Sequence, residues 1–395
     1  MQTRKIAFVV PRYGVESAGG AEVLARSVAE HLAAAGNGVS VFTTCARDHF
    51  TWENYYRSGR ETLNGVEVHR FPADSRDTDA EFCSLQARIS RGMPVSRDEE
   101  EAWIGGSVHS RALYDSIAAK RDSFDCFIFL PYLFGTTWAG SAIAPEKSLI
   151  IPCLHDEPYA RLAIFREMFG RSRGMIFNSE PERTLAIDLC GVAPEKTAVG
   201  GMGFVAMEGY RPERFRKESG IGAPFIMYAG RREGGKNTPL LVEYFRAFKN
   251  QHRNELKLLF LGSGDLTIPP ELSRDVIDLG YVKEGLKHDC YAAGLALCQP
   301  STNESLSIVL MEAWLAGAAG LVNGNCAVTS FHCMQANGGL LFRDYCEFSE
   351  CLLFLMEREG LREKLAAGGR RYVETEYSWD AVLKRYEAAF DQFGV

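Results

Sequence analysis

No run of apolar residues in this chain approaches the ~20 needed to cross a bilayer, so no segment reads as a transmembrane helix. Nor does the start of the sequence read as a signal peptide. Only five apolar residues, Ile6 to Val10, stand before Pro11, too few for a signal-peptide core and enough for a first β-strand. Blocks of positive charge are absent: 44 Lys and Arg stand against 51 Asp and Glu, a net charge of −7. Nucleic-acid binding needs clustered cations to neutralise phosphates, so that class is disfavoured. Cysteine is sparse and odd in number, 11 in 395 residues, which argues against a disulfide scaffold. Cys126, Cys153 and Cys298 lie in apolar runs and read as buried reduced thiols. A cytoplasmic protein is therefore expected, at most peripheral to the inner face of a membrane.

What is present is globular. Apolar residues make up 46% and charged residues 24%, and the length suits two domains. Lys5–Val10, Val39–Thr44, Val66–Phe71, Cys126–Leu130, Leu149–Leu154 and Gly174–Asn178 are short apolar runs, read as parallel strands covered on both faces. Helical patterns over Ala21–Ala35, Glu99–Ala119 and Pro181–Leu189 lie between them. This βαβ rhythm restarts with strands at Phe225–Ala229, Lys257–Leu261, Val276–Leu279, Leu295–Cys298 and Gly320–Val322. Helices are expected at Thr238–Lys249, Glu284–Ala293 and Ser307–Ala316. The expected fold is α/β with two Rossmann-like doubly wound domains facing across a cleft. The domains are residues 1–207 and 222–377, with a polar linker at 208–221. A last helix, capped by Ser378, carries Trp379, Leu383, Tyr386 and Phe390 at helical spacing. Pro72–Ser110 is the least regular stretch and reads as an insertion of loop and helix.

Three segments carry chemistry. Between the first strand and helix, Gly19-Gly20-Ala21-Glu22 permits close backbone approach at a helix N-terminus; a plain tight turn is the alternative. After strand Phe225–Ala229, Gly230-Arg231-Arg232-Glu233-Gly234-Gly235-Lys236 joins cations to flexible glycines. It suits a diphosphate, or is only a solvated basic loop. After Leu295–Cys298, Glu304 stands in a loop and Glu312 lies inside an apolar helix. A carboxylate there is costly unless partnered, so hydroxyl recognition competes with a helix cap and a solvent-facing acid. Asp77-Thr78-Asp79 looks like a metal motif but lies in a polar stretch and reads as a solvated loop. Cys326, His332 and Cys333 lack a second ligand pair at zinc spacing. No Gly-x-Ser-x-Gly nucleophile turn occurs, which disfavours hydrolysis.

Together these segments resemble retaining GT-B glycosyltransferases of family 4, glycosyl transferases group 1. The family's G-R-x4-K loop reads here as Gly230, Arg231 and Lys236, and its E-x7-E motif as Glu304 and Glu312. Leu261-Gly262-Ser263-Gly264, Gly280-Tyr281-Val282, Gly317 and Asn337-Gly338-Gly339 fall where the family also places glycines. One departure stands out: Ser305-Leu306-Ser307 replaces the usual Gly-Phe-Gly after the first acid. The resemblance implies that Arg231 and Lys236 hold the donor diphosphate and that Glu304 and the 305–307 amides meet the donor sugar. Glu312 would take the ribose and Gly262 and Val282 border the base, while Gly19 and Gly20 form the N-terminal donor loop. His155 would stand near the reacting sugar, and the last helix would cross back to the N-terminal domain. A hexose would pass from a UDP- or GDP-sugar to a glycan, lipid-linked or other small hydroxyl acceptor, with no metal and no cofactor, as in polysaccharide biosynthesis. The alternatives are another GT-B enzyme, a glycan phosphorylase or sugar-phosphate synthase, or a sugar-nucleotide-binding protein without turnover.

Overall fold

The computed structural model describes residues 3–14, 19–76, 78–232 and 234–395. Met1–Gly203 and Trp379–Val395 form one compact unit, and Phe204–Ser378 forms a second.

The strands of the first unit form one sheet, in which apolar runs buried on both faces supply the centre and more polar, exposed residues supply the β3 edge. They are β1 (Lys5–Val9), β2 (Gly38–Thr44), β3 (Gly59–Leu63), β4 (Val66–Phe71), β5 (Cys126–Phe129), β6 (Ser148–Ile150), β7 (Gly174–Phe177) and β8 (Thr197–Val199). Their order in the sheet is β3-β4-β2-β1-β5-β6-β7-β8. All neighbours are parallel except β3, which pairs antiparallel to β4 at the edge. Ile6 to Val9 and Phe127 to Phe129 are fully buried, as central parallel strands require. Helix Gly20–Ala34 follows the glycine loop and turns Leu24, Val28 and Leu32 inward at helical spacing.

The single helix expected over Glu99–Ala119 is two, Arg97–Gly105 and Arg111–Lys120. Gly106 ends the first, and Ser110 starts the second by accepting the Leu113 N–H. The strand expected at Leu149–Leu154 stops at Ile150, and Cys153 beyond it takes φ +54°. The last helix, Trp379–Gln392, packs within the first unit. The Trp379 ring stacks on His31 with centroids 3.5 Å apart, and the Tyr386 hydroxyl donates to the Gly201 carbonyl at 3.2 Å. Side chains on Gly200 or Gly203 would collide with Tyr386 or Trp379.

The second unit holds β9 (Phe225–Ala229), β10 (Lys257–Leu261), β11 (Val276–Gly280), β12 (Ala296–Gln299), β13 (Ala319–Asn323) and β14 (Gly339–Phe342), all parallel. Their order is β11-β10-β9-β12-β13-β14. Counted from the unit's first strand this is the dinucleotide-binding arrangement, with the order reversing between β9 and β12. Within the stretch read as a linker lies a helix, Pro212–Ser219, which buries Phe215. Arg216 fastens it by donating to the Ala293 carbonyl at 2.9 Å.

No described helix is long and apolar enough to cross a membrane. All 11 cysteines are free thiols; Cys83 and Cys346 are exposed, and the rest are buried or half-buried.

Candidate functional site

Ligands of parallel sheets gather beyond the strand C-termini, beside the point where the strand order reverses. In the second unit the loops after β9, β10 and β12 meet there. The loop after β9 is tied to its neighbours through glycines. The Gly230 N–H donates to the Leu261 carbonyl at 2.9 Å, the Gly262 N–H to Gly280 at 2.7 Å, and the Arg232 N–H to Ser263 at 2.9 Å. Gly262 takes φ +121°, and a Cβ on it would lie 2.1 Å from the Gly230 carbonyl oxygen. Only glycine fits such an approach.

The two adjacent arginines have different work. Arg232 donates to the Gly262 and Gly264 carbonyls at 3.1 and 2.7 Å and forms a forked pair with Asp278, its side chain 3% exposed. It holds the loops together. Arg231 is half-buried, and its carbonyl accepts the Tyr228 hydroxyl at 2.6 Å.

Lys236 ends a short turn, Gly234–Lys236, and reaches the loop after β12. Its Nζ donates to Glu304 Oε1 at 2.7 Å, and Gln299 Nε2 donates to the same oxygen at 3.0 Å. The Glu304 side chain is 9% exposed, and these donors meet the cost of keeping a carboxylate there. Ser301 bridges the two loops by donating to Gly235 O at 3.2 Å. The diphosphate-type loop and the first acid of the E-x7-E pair are thus one cluster. Ser305 is half-buried and Leu306 buried; Ser307, just before helix Ile308–Leu315, takes φ +68°. A serine pays for this left-handed conformation where glycine would not, and its buried Oγ finds no partner among the described residues.

Glu312 sits in a second cluster, and its partners come from helix Glu284–Ala293. Lys287 Nζ lies 3.2 Å from Oε1 and 3.0 Å from Oε2, and the Tyr291 hydroxyl donates to Oε2 at 3.3 Å. Burial works to lower the Lys287 pKa, yet the facing carboxylates of Glu312 and Glu284 outweigh it and hold the ammonium above its usual value. Glu284 is pulled down to about 2, first by its bond with His288 and then by Lys287. Glu284, His288 and Glu312 bring metal-type ligand atoms within 4.8 Å of one another. Lys287 already supplies the positive charge at that spot, so a divalent ion would have to displace it. Val282, half-buried, follows β11 in the same unit.

Gly19, Gly20 and His155 belong to the first unit. A Cβ on Gly19 would strike the Glu22 carboxylate at 1.9 Å, and that carboxylate forms a buried pair with Arg12. Gly20 opens the helix. Residues 15–18 of this loop and Glu233 of the β9 loop lie outside the described residues. His155 is half-buried in the loop beyond β6. That loop is shaped by Glu182, whose carboxylate accepts the Leu154 and Asn178 N–H groups at 2.6 Å each. Burial pushes the Glu182 pKa up to about 8, against the pull of those donors.

The side motifs turn out structural. Asp79 caps helix Ala80–Ser90 by accepting the Phe82 N–H at 2.8 Å, and Asp77 lies outside the described residues. His332 shares a bond with the Tyr372 hydroxyl at 3.0 Å, and burial lowers its pKa to about 3. Cys326 and Cys333 are buried, and among the described residues this trio does not form a metal-type group. Sequence reasoning missed Lys287, Tyr291 and Gln299. Gln299 carried a signal, as the polar residue that closes an apolar strand; Lys287 and Tyr291 carried only their four-residue spacing on one helix.

Residues 211–372 match the model of the family described as glycosyl transferases group 1. Over 419 residues the chain is 25% identical to a D-inositol 3-phosphate glycosyltransferase of Frankia alni, covering 97% of each. Among solved structures it is similar to the sucrose-phosphate synthase of Thermosynechococcus elongatus, with TM-score 0.75, 17% identity and 99% of each chain covered. It is also similar to HepE of Anabaena in complex with UDP-glucose, with TM-score 0.72, 15% identity, and 98% and 99% covered. At these identities the structures speak for the fold, which is GT-B.

Proposed function

From a chain whose residues 211–372 match the model of the glycosyl transferases group 1 family, we propose a metal-independent, retaining hexosyltransferase that uses a nucleoside-diphosphate sugar. The observation that carries this reading is the contact of Lys236 with Glu304 at 2.7 Å, which puts a phosphate-type cation and a hydroxyl-type acceptor within one ligand's reach. The HepE relative, whose structure holds UDP-glucose, supports the class of donor.

In this reading Arg231 and Lys236 bind the diphosphate and offset the charge that builds on it as the sugar departs. Glu304, fixed by Lys236 and Gln299, accepts hydrogen bonds from the sugar hydroxyls, and the 305–307 amides complete that wall. Glu312, held by Lys287 and Tyr291, turns its remaining lone pairs to the ribose. Gly230 and Gly262 bring backbone close to the nucleotide, and Val282 borders the base. His155 and the Gly19-Gly20 turn are the first unit's contribution, and in this reading that unit binds the acceptor while the second binds the nucleotide sugar. The bond from the anomeric carbon to the diphosphate oxygen breaks, and a bond to the acceptor oxygen forms on the same face. The acceptor proton passes to the leaving phosphate, giving a nucleoside diphosphate and a glycoside.

The test is a melting-point screen over UDP- and GDP-sugars, followed by turnover of the best binder with hydroxyl acceptors. A ligand that binds only the folded state raises the melting point, by ~2.7 kcal/mol of stability at a hundred times Kd. If a donor binds and neither transfer nor slow release of free sugar follows, the protein is a binder and the catalytic reading fails.

A further inference from the structure

The loop that carries His155 is held by a buried charge. β6 and β7 are neighbours in the sheet, and both end at the edge where ligands of parallel sheets bind. The ladder between them stops at Ile150 and Met175. Helix Glu180–Cys190 follows β7, and Glu182, 1% exposed, lies in its first turn. Its Oε1 accepts the Leu154 N–H beyond β6, and its Oε2 accepts the Asn178 N–H beyond β7, each at 2.6 Å. One carboxylate thus ties together two loops that the sheet no longer joins.

This is a costly way to end two strands. A buried carboxylate is unfavourable without a cation, and among the described residues Glu182 forms no ion pair. Burial pushes its pKa up to about 8. An asparagine or glutamine would bring donors as well as an acceptor; only an acid meets both N–H groups with acceptors alone.

The backbone it holds is strained. Cys153, just before Leu154, takes φ +54°, a left-handed conformation that is uncommon for a residue other than glycine. Asn178, at the other end of the clamp, donates its side-chain amide to Cys153 Sγ at 3.7 Å. His155 follows at once, and its downstream side is fixed too. Its carbonyl accepts the Glu157 N–H at 2.9 Å, and the Glu157 carboxylate accepts the Tyr132 hydroxyl at 2.7 Å. A strained turn and a buried charge without a cation therefore converge on one histidine. Both features cluster where a side chain must be fixed for chemistry.

We propose that Glu182 is the positioning residue of His155: by holding the Leu154 and Asn178 N–H groups on one carboxylate, it keeps the turn at Cys153 and so the direction in which the imidazole meets the reacting sugar. The link to the sugar rests on the transferase reading; the hold on His155 does not. E182Q keeps the shape but leaves one of the two N–H groups without an acceptor. S110A, which removes the cap of helix Arg111–Lys120 in the same unit, is the control for lost stability alone. The full chain is assayed at about pH 9, above the raised Glu182 pKa, with UDP-glucose and GDP-mannose as donors and water as acceptor. A shift of ~1 Å at a reacting group costs about a hundredfold, so kcat in E182Q should fall by roughly 10–100-fold while KM for the donor stays within about twofold. In the H155A background the same substitution should cost nothing further, because its effect passes through His155. Amide exchange at Leu154 and the ring resonances of His155 read the hold directly; both should change in E182Q and neither in S110A. Should E182Q not fold, C153G/E182Q is compared with C153G, since glycine takes the turn without strain while Leu154 still loses its acceptor. Unchanged exchange and resonances overturn the proposal. So does an equal loss of kcat in E182Q and S110A, or losses in E182Q and H155A that multiply. Should the parent turn over no nucleotide sugar while the His155 resonances still follow Glu182, the transferase reading falls and the hold on His155 stands.

Discussion

Glu304 and Glu312 lie eight residues apart and should respond to mutation in opposite ways. Glu304→Gln keeps shape and keeps an oxygen for Lys236 and Gln299, but removes the charge. The lost acceptor strength matters most as the glycosidic bond breaks, and removing one transition-state contact of this kind costs ~10²–10³ in kcat. Nucleotide affinity should not fall. Lys236, no longer neutralised at 2.7 Å, becomes more available to a diphosphate. A gain of about 1 kcal/mol, the order of a half-exposed ion pair, would tighten nucleotide binding by roughly fivefold. Glu312→Gln keeps contact with Lys287 and Tyr291 but weakens bonds to the ribose in ground and transition states alike. Losing a charged hydrogen bond there costs about 1.5–3 kcal/mol, or roughly 10–150-fold in nucleotide Kd. Titration calorimetry with the nucleotide beside kcat at saturating donor, for both variants, decides the matter. If Glu304→Gln loosens the nucleotide while Glu312→Gln lowers kcat alone, the assignment of roles is refuted.

Transfer should persist in excess EDTA, because Lys287 already stands between the carboxylates of Glu284 and Glu312; activity lost in chelator and restored by Mg²⁺ or Mn²⁺ would contradict this. Gly262→Ala should destabilise the second unit by about 1–3 kcal/mol, since its Cβ would lie 2.1 Å from the Gly230 carbonyl and φ is positive. Gly222→Ala, with open space around it, is the control, and equal melting points for the two would sink the argument. His332 is held neutral, with its pKa lowered to about 3 in the fold, against ~6.5 when unfolded. Its contribution is complete above pH 6.5 and drains away as pH falls toward 3, at about 1.4 kcal/mol per unit. Between pH 6.5 and 5, His332→Gln should thus lose about 2 kcal/mol less stability than the parent in denaturant titrations, and equal losses would count against a buried neutral imidazole.

Strands buried on both faces were legible because their apolar runs are continuous: β9 and β10 have the bounds that periodicity suggested, as does β4 with its more polar pattern. β3 was not, since Gly59 to Thr62 are exposed and polar, and only its pairing with β4 makes it a strand. Helix Pro212–Ser219 hid for a similar reason, burying Phe215 alone in a charged stretch. At the candidate site, residue types and spacing pointed to the β9 and β12 loops. They could not say that Arg232 serves structure, or that Glu312 would find its partners on a helix 25 positions earlier. Such pairings depend on which helix faces which, and sequence distance does not record that.

The distribution of thiols gives the protein a built-in pair of reporters. Cys83 is exposed in the first unit and Cys346 in the second, while burial pushes most of the others well above the pKa of a free thiol. A thiol reacts as its thiolate, so maleimide probes at neutral pH should mark these two positions first. One dye on each unit, placed without any engineered cysteine, makes energy transfer between them a direct readout of whether donor or acceptor binding changes their separation.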